Sequence, residues 1–288
     1  MQIDTRVLQT RLLYMLKQFH KVCVDNELTY FLTYGTMLGA IRHSGFIPWD
    51  DVDIVMPRED YNRFKSNSVH MLPDNLEIMF YENRNNSPMH YIKLIDNRTT
   101  LIEDKYRDYY EGVYIDVFPL DGVPEKKTQI KIKQKKTHMY QSLIVNHCYT
   151  DGRKGIRKLY GQLAKRFDLE RLHKKLEKEL TQYAYSSSNI VGSYLGAYGI
   201  REFVPKEIMG IPAKYTFEDA EFYGLEDYDS YLRCLYGDYM ELPPIDKRNN
   251  KHQYFYVNLD KPYREYQSEH SVAKEPLSVL DNTERHEI

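Results

Sequence analysis

Residues 46–58 read FIPWDDVDIVMPR, and the carboxylates Asp50, Asp51 and Asp53 stand directly before the apolar run Ile54-Val55-Met56. Successive side chains of a strand point to opposite faces, so Asp51 and Asp53, two apart, project to one side. Two like charges held together on an otherwise hydrophobic strand are costly unless a cation lies between them. Hard oxygen donors of this kind suit Mg²⁺, which is usually held by one or two carboxylates together with substrate phosphates. An aspartate-rich turn leading into a strand is the plainer reading of an isolated pair. The preceding residues weigh against it.

Those residues, 30–43, read YFLTYGTMLGAIRH. Residues 29–33 have the composition of a short strand and 36–43 that of a helix, so Gly35-Thr36 falls where a strand turns into a helix N-terminus. Free backbone N–H groups and the positive end of the helix dipole make such a junction an anion site. Glycine lets the chain approach a phosphate closely, and Thr36 is placed to cap the helix or to meet a phosphate oxygen. A phosphate cradle followed about fifteen residues later by a paired-carboxylate strand is the layout of a nucleotidyltransferase-type site.

A third carboxylate, Asp116, lies within the apolar run Val113-Tyr114-Ile115-Asp116-Val117-Phe118, where a charge needs a partner. Beside Asp51 and Asp53 it would complete the cluster used in two-metal phosphoryl transfer, with Asp116 placed to take the proton of an acceptor hydroxyl. Arg42, His43 and Lys93 are candidates to contact phosphate oxygens. A solvated charge is the competing reading for Arg42 and His43. The apolar flanks of Lys93 argue for burial instead.

The stretch YGTMLGAIRHSGFIPWDDVDIVMPREDYNRF resembles the signature of the LicD family, related to fukutin and fukutin-related protein. Further matches are Tyr91-Ile92-Lys93, the run Tyr114 to Gly122, and Tyr236-Gly237-Asp238-Tyr239-Met240-Glu241-Leu242-Pro243-Pro244 with Arg248 and His252 after it. The similarity is collinear from about residue 5 to 255. The chain departs from the family at Asp50-Asp51-Val52-Asp53, one acid short of the usual run, which leaves the role of Asp50 open. The resemblance implies transfer of a substituted phosphate from a CDP-activated donor to a sugar hydroxyl of a cell-surface glycan or its lipid-linked precursor. Phosphocholine is the first choice of group, and glycerol- or ribitol-phosphate the alternative. It implies Mg²⁺, two ions or Mn²⁺ in their place, held by Asp51, Asp53 and Asp116. Gly35, Thr36, Arg42, His43, Lys93, Arg248 and His252 would then meet the substrate. A nucleotidyltransferase or a catalytically silent glycan-binding scaffold are the rival functions.

The expected fold is α+β: a nucleotidyltransferase-like mixed sheet with flanking helices over residues 1–122, a basic helical segment over 123–189, a C-terminal substrate-binding part over 190–266 and a flexible tail over 267–288. With 288 residues and 42% apolar content the chain has enough material for a large core. A net charge of −2 gives no global attraction to nucleic acid, and no such partner is expected. Cys23, Cys148 and Cys234 are widely spaced and form no CxxC, so reduced, structural thiols are expected. The charged N-terminal stretch is not a signal peptide, and no apolar run is long enough to span a bilayer. A cytoplasmic protein is expected, held peripherally at the inner membrane face if the basic helices meet anionic lipid. Six lysines and no acid lie between Lys126 and Lys136, and ten basic residues against three acidic between Arg153 and Lys178. Two solvated helix faces would explain the same pattern. The 27 tyrosines suggest an aromatic cage for a quaternary amine, drawn from Tyr194, Tyr198, Tyr215, Tyr223, Tyr236 and Tyr239, with Glu221 or Glu241 as a counter-charge.

Overall fold

A computed structural model describes residues 4–47, 52–84, 86–103, 110–149, 155–242, 244 and 254–271. The chain opens with α1 (Thr5–Asp25), β1 (Phe31–Leu32), α2 (Tyr34–His43), β2 (Asp53–Pro57), α3 (Arg58–Met71), β3 (Leu76–Met79), β4 (Ile92–Asp96), β5 (Thr100–Ile102) and β6 (Tyr114–Val123). Three helices follow: α4 (Lys127–Cys148), α5 (Ile156–Ala164) and α6 (Leu169–Leu180). Then come β7 (Ile190–Gly192), β8 (Val204–Pro205), α7 (Lys206–Met209), β9 (Ala213–Phe217), β10 (Ala220–Gly224), α8 (Tyr228–Tyr236), β11 (Tyr256–Asn258) and α9 (Tyr263–Ser271). The architecture is α+β, as expected. The last helix runs five residues into the stretch read as a flexible tail, and residues 272–288 lie outside the described residues.

The main sheet has nine strands in the order β3-β4-β6-β2-β1-β10-β9, with β7 joining β6 and β8 joining β7. It is mixed: β2 runs parallel to β6, while β4 and β7 run antiparallel to it. β6 is the spine, buried along all ten of its residues. It contains Pro119, which lacks an N–H and is rare in a central strand. The ladder to β4 ends at Val117 and the ladder to β7 begins at Asp121, so Pro119 falls between the two. Strands β9 and β10 add residues 213–224 to the sheet that begins in the first third of the chain.

Alternation along the central strands sorts the side chains. Ile54, Met56, Ile92, Leu94, Ile115 and Val117 share one face, and none of them is measurably exposed. The apolar stripe of α1 (Met15, Leu16, Phe19) joins the same core, where Phe19 meets Phe64 of α3 edge to face at 5.3 Å. α3 extends to Met71 because Tyr61, Phe64 and Ser68 carry a buried stripe along it. A second core forms where Val123, Ile144, Cys148, Leu172, Leu176 and Leu180 close α4 and α6 against the end of β6. Cys23 and Cys148 are buried thiols and Cys234 is exposed; none is in a disulfide.

A charged seam joins the two cores. Arg58 grips Asp121 of β6 through two hydrogen bonds, 2.7 Å and 2.6 Å, and reaches Glu177 of α6 at 3.2 Å. Glu177 is also 2.8 Å from His90, whose other ring nitrogen is 3.0 Å from His173, and His173 lies 3.2 Å from the carbonyl of Ser87. A carbonyl only accepts, so His173 donates there and must accept from His90. Burial lowers the pKa of His90 despite its contact with Glu177. Burial opposes the charge of Glu177, but the hydrogen bond from His90 and the charge of Arg58 hold it at about 2. Burial first, and then the neighbouring His90, push His173 down to about 3, so it stays neutral.

Lys133 leaves the lysine-rich stretch for the interior. Its ammonium caps the C-terminus of α6 through the carbonyls of Glu179 and Leu180 and lies 4.9 Å from the ring centres of Tyr183 and Tyr194. One of the six expected surface lysines is therefore structural, and burial lowers its pKa to about 8.

Asp121→Ala strips the bidentate partner from a buried guanidinium. A loss of about 3 kcal/mol in urea unfolding is expected, and a loss under about 0.5 kcal/mol would make the seam energetically idle.

Candidate active site

The β2–β6 ladder brings Asp53 opposite Asp116, and the β4–β6 ladder brings Lys93 opposite the same Asp116. Residues paired across neighbouring strands share a face and stand about 4.8 Å apart between strands. Asp53, Asp116 and Lys93 thus form one row across the centre of the sheet, on the face opposite the α1–α3 core. Phe118 and Tyr91 follow on that face, with ring centres 4.4 Å apart. Lys93 is fully buried: its ammonium pairs with Glu111 at 2.8 Å and sits 3.4 Å above the centre of the Tyr114 ring. Its burial agrees with the apolar flanks, and the buried carboxylate of Glu111 supplies the counter-charge.

The start of β2 is held from both sides. Thr33 donates its N–H to the carbonyl of Asp53 at 3.2 Å, and Asp53 donates its N–H to Thr36 Oγ1 at 2.8 Å. The Thr36 oxygen, a candidate cap or phosphate ligand, fastens the backbone at the start of β2. The helix starts at Tyr34, two residues earlier than its composition suggested, with Thr33 as the extended N-cap residue. Tyr34 has φ 46°, a left-handed conformation that a non-glycine residue adopts only when its surroundings impose it. Gly35 and Thr36 lie in this buried first turn, next to the carboxylate row.

What imposes it is Glu202, which no local sequence signal revealed. Its carboxylate accepts from the Tyr34 hydroxyl and, at 2.6 Å, from the N–H of Tyr198. Burial, against these hydrogen bonds, pushes Glu202 up to about 7. The Tyr34 ring stacks on Tyr198 (5.7 Å, 22°) and meets Phe118 edge to face at 5.9 Å. Tyr198 meets Tyr236 at 5.2 Å, and their hydroxyls are 3.1 Å apart. Two of the six nominated tyrosines therefore join an aromatic group beside the carboxylate row. Tyr194 packs in the second core, Tyr215 donates to the carbonyl of Leu225 at 2.7 Å, and Tyr239 donates to Asp229 at 2.7 Å. Glu221 is exposed near Lys214, Glu241 is exposed, and the acid that meets the aromatics is Glu202.

Arg42 and His43 close α2 at the end opposite Gly35, about 10 Å away along the axis. Arg42 donates to the carbonyl of Tyr239 at 2.9 Å and so fastens the Tyr236–Met240 stretch. His43 is exposed, and its pKa is lowered by partial burial and by Arg42. Asp51, Arg248 and His252 lie outside the described residues, as does Asp50. Among the described residues no three His, Cys, Asp or Glu side chains gather as a metal site. The pair that is described suits a hard divalent cation: two aspartate carboxylates side by side on two central strands of an apolar sheet.

Thr36→Val is nearly isosteric but leaves the Asp53 N–H without its acceptor. A loss of about 1–3 kcal/mol in urea unfolding is expected, with Thr36→Ser close to wild type. Glu202 has a folded pKa of about 7 against an ordinary 4.5, so the native state binds the extra proton between these values. Its contribution to stability must therefore fall as pH rises from about 4.5 to 7, by about 3 kcal/mol in all. Unfolding curves across that range should show the slope in wild type and not in Glu202→Gln; parallel curves would refute the raised pKa.

The LicD/FKTN/FKRP nucleotidyltransferase domain matches residues 27–150, which include every member of the carboxylate row and the first turn of α2. The chain is 28% identical over 270 residues to the lipopolysaccharide cholinephosphotransferase LicD of Haemophilus influenzae, covering 87% of this chain and 97% of that protein. Shorter matches reach uncharacterized proteins of Rickettsia typhi (40% over 52 residues, 18% of this chain and 17% of that one) and Rickettsia prowazekii (43% over 47 residues, 16% and 18%). The similarity to the LicD family thus rests on the domain match over residues 27–150 and on the Haemophilus protein over most of the chain.

Proposed function

We propose that this transferase of phosphate-containing groups moves phosphocholine, in preference to glycerol- or ribitol-phosphate, from a CDP-activated donor to a sugar hydroxyl of a cell-surface glycan or its lipid-linked precursor. The observation that carries the reading is the row Asp53–Asp116–Lys93 at the first turn of α2. A phosphate group at that turn meets the positive end of the helix, with the two carboxylates beside it. Asp53 and Asp116, with Asp51, would hold Mg²⁺, which supplies positive charge for the donor diphosphate and makes the acceptor hydroxyl easier to deprotonate. Asp116 stands at the centre of the row, where it can accept that proton. The Lys93–Glu111 pair adds a fixed dipole behind Asp116 without adding net charge. Chemistry of this kind asks the protein for position and charge rather than a covalent intermediate.

The choline preference rests on the aromatic group. Tyr34, Tyr198, Tyr236 and Phe118 present ring faces and edges around a buried acid, which suits a quaternary amine better than a polyol. The relative from Haemophilus is named as a cholinephosphotransferase acting on lipopolysaccharide, and this supports the same choice.

CMP release from CDP-choline, CDP-glycerol and CDP-ribitol, each with a glycan acceptor, tests the reading. Turnover is expected with CDP-choline, to be abolished by EDTA and to fall at least about 1,000-fold in Asp53→Asn and Asp116→Asn without loss of fold. Turnover with a polyol donor alone would overturn the headgroup. Pyrophosphate as the product would make the chain a nucleotidyltransferase, and full activity in EDTA would remove the metal.

A further inference from the structure

Helix α5 is oriented against the usual rule. Among its described side chains the buried positions are the small residues Gly161 and Ala164: a side chain at Gly161 would face the carbonyl of Asn146, and the carbonyl of Ala164 lies 3.2 Å from His147 of α4. The large apolar residues point the other way. Leu159 is 66% exposed, Leu163 47%, and Phe167 just beyond the helix 45%. Leu159 and Leu163 are four residues apart, so they stand one above the other on the face opposite Gly161. A helix that stabilised only its own fold would turn its leucines toward α4. Lys158 and Lys165 stand along one flank of this face, about 100–120° round the helix from Leu159, and Arg166 lies nearer the leucines; all three are exposed, and the first acid after Gly155 is Asp168, which caps α6.

We propose that this face of α5 docks on an anionic lipid bilayer, with Leu159, Leu163 and Phe167 entering the headgroup region and the three cations resting on lipid phosphates. The chemistry of the patch selects this occupant. Leucine and phenylalanine rimmed by lysine and arginine is the composition of a helix lying in a membrane interface, where long basic side chains reach up to the headgroups. Anionic lipid adds a separate attraction for each cation. A second copy of the chain fits poorly, because a two-fold contact through this face would press like charges together. The patch is also small for a stable protein interface but sufficient for insertion of a few side chains. No described helix is long and apolar enough to cross a membrane, so the contact is with the surface. The inference does not depend on which phosphate group is transferred.

Cosedimentation of the full chain with vesicles tests it. One set contains phosphatidylglycerol and phosphatidylethanolamine, the other phosphatidylcholine alone. Binding to the anionic set at low salt is expected, with little to the neutral set. Leu159→Ser/Leu163→Ser should weaken it at least about tenfold, and Lys158→Gln/Lys165→Gln/Arg166→Gln should weaken it and flatten its salt dependence. Circular dichroism and urea unfolding of these exposed-site variants should match wild type, and so should turnover with a soluble acceptor. Equal binding by wild type and the leucine variant, or no binding to either vesicle set, would overturn the proposal. A dimer in sedimentation that the same substitutions dissolve would also overturn it, in favour of a second copy.

Discussion

The parallel ladder between β2 and β6 is the constraint on which the site depends. Asp53 and Asp116 are 63 positions apart in the chain, and their pairing is set by backbone hydrogen bonds rather than by attraction between the side chains, which repel. The repulsion must be offset by the apolar contacts of Ile54, Met56, Ile115 and Val117 on the reverse face, whose burial fixes the register. A slip of one residue would expose all four and turn both aspartates into the core. The burial that stabilises the sheet is therefore also what holds two like charges together.

The backbone at the head of β2 supports the same arrangement. Thr33 and Thr36 hold the carbonyl and the N–H of Asp53, and the turn between them is closed by Tyr34 in a left-handed conformation. Strain of about 1–3 kcal/mol at such a residue persists only where neighbours over-determine it. Glu202, Tyr198 and Phe118 do so from three directions. The aromatic group and the first turn of α2 are thus one construction, and a change in either is felt by the other.

Much of this was legible in the residues. The apolar runs of β2 and β6 were plain in the sequence, and the apolar flanks of Lys93 announced its burial. The row itself needed the register, which no short stretch contains. Glu202 was invisible because its partner Tyr34 is 168 positions away and nothing around it forms a motif. Thr36 and Arg42 each meet a backbone group of the same protein, the N–H of Asp53 and the carbonyl of Tyr239, and no short stretch of sequence contains either partner. Lys133 shows the same limit, since a lysine in a basic run carries no mark that it will cap another helix. α2 starts earlier than composition suggests, because its first turn is held by contacts distant in sequence.

Strand β6 carries two charged residues with opposite duties. Asp116 faces the site, while Asp121, five positions on, faces the other side and receives Arg58. An odd spacing along a strand is what separates the two faces. Loss or gain of a single residue between them would send one of the pair to the wrong side. Either the site would lose a carboxylate or Arg58 would be left buried without its partner. Pro119 stands midway, where neither neighbouring ladder asks for an N–H, so the stretch can vary in composition far more readily than in length. In descendants of this chain, insertions and deletions should accumulate elsewhere and leave the interval from Asp116 to Asp121 untouched.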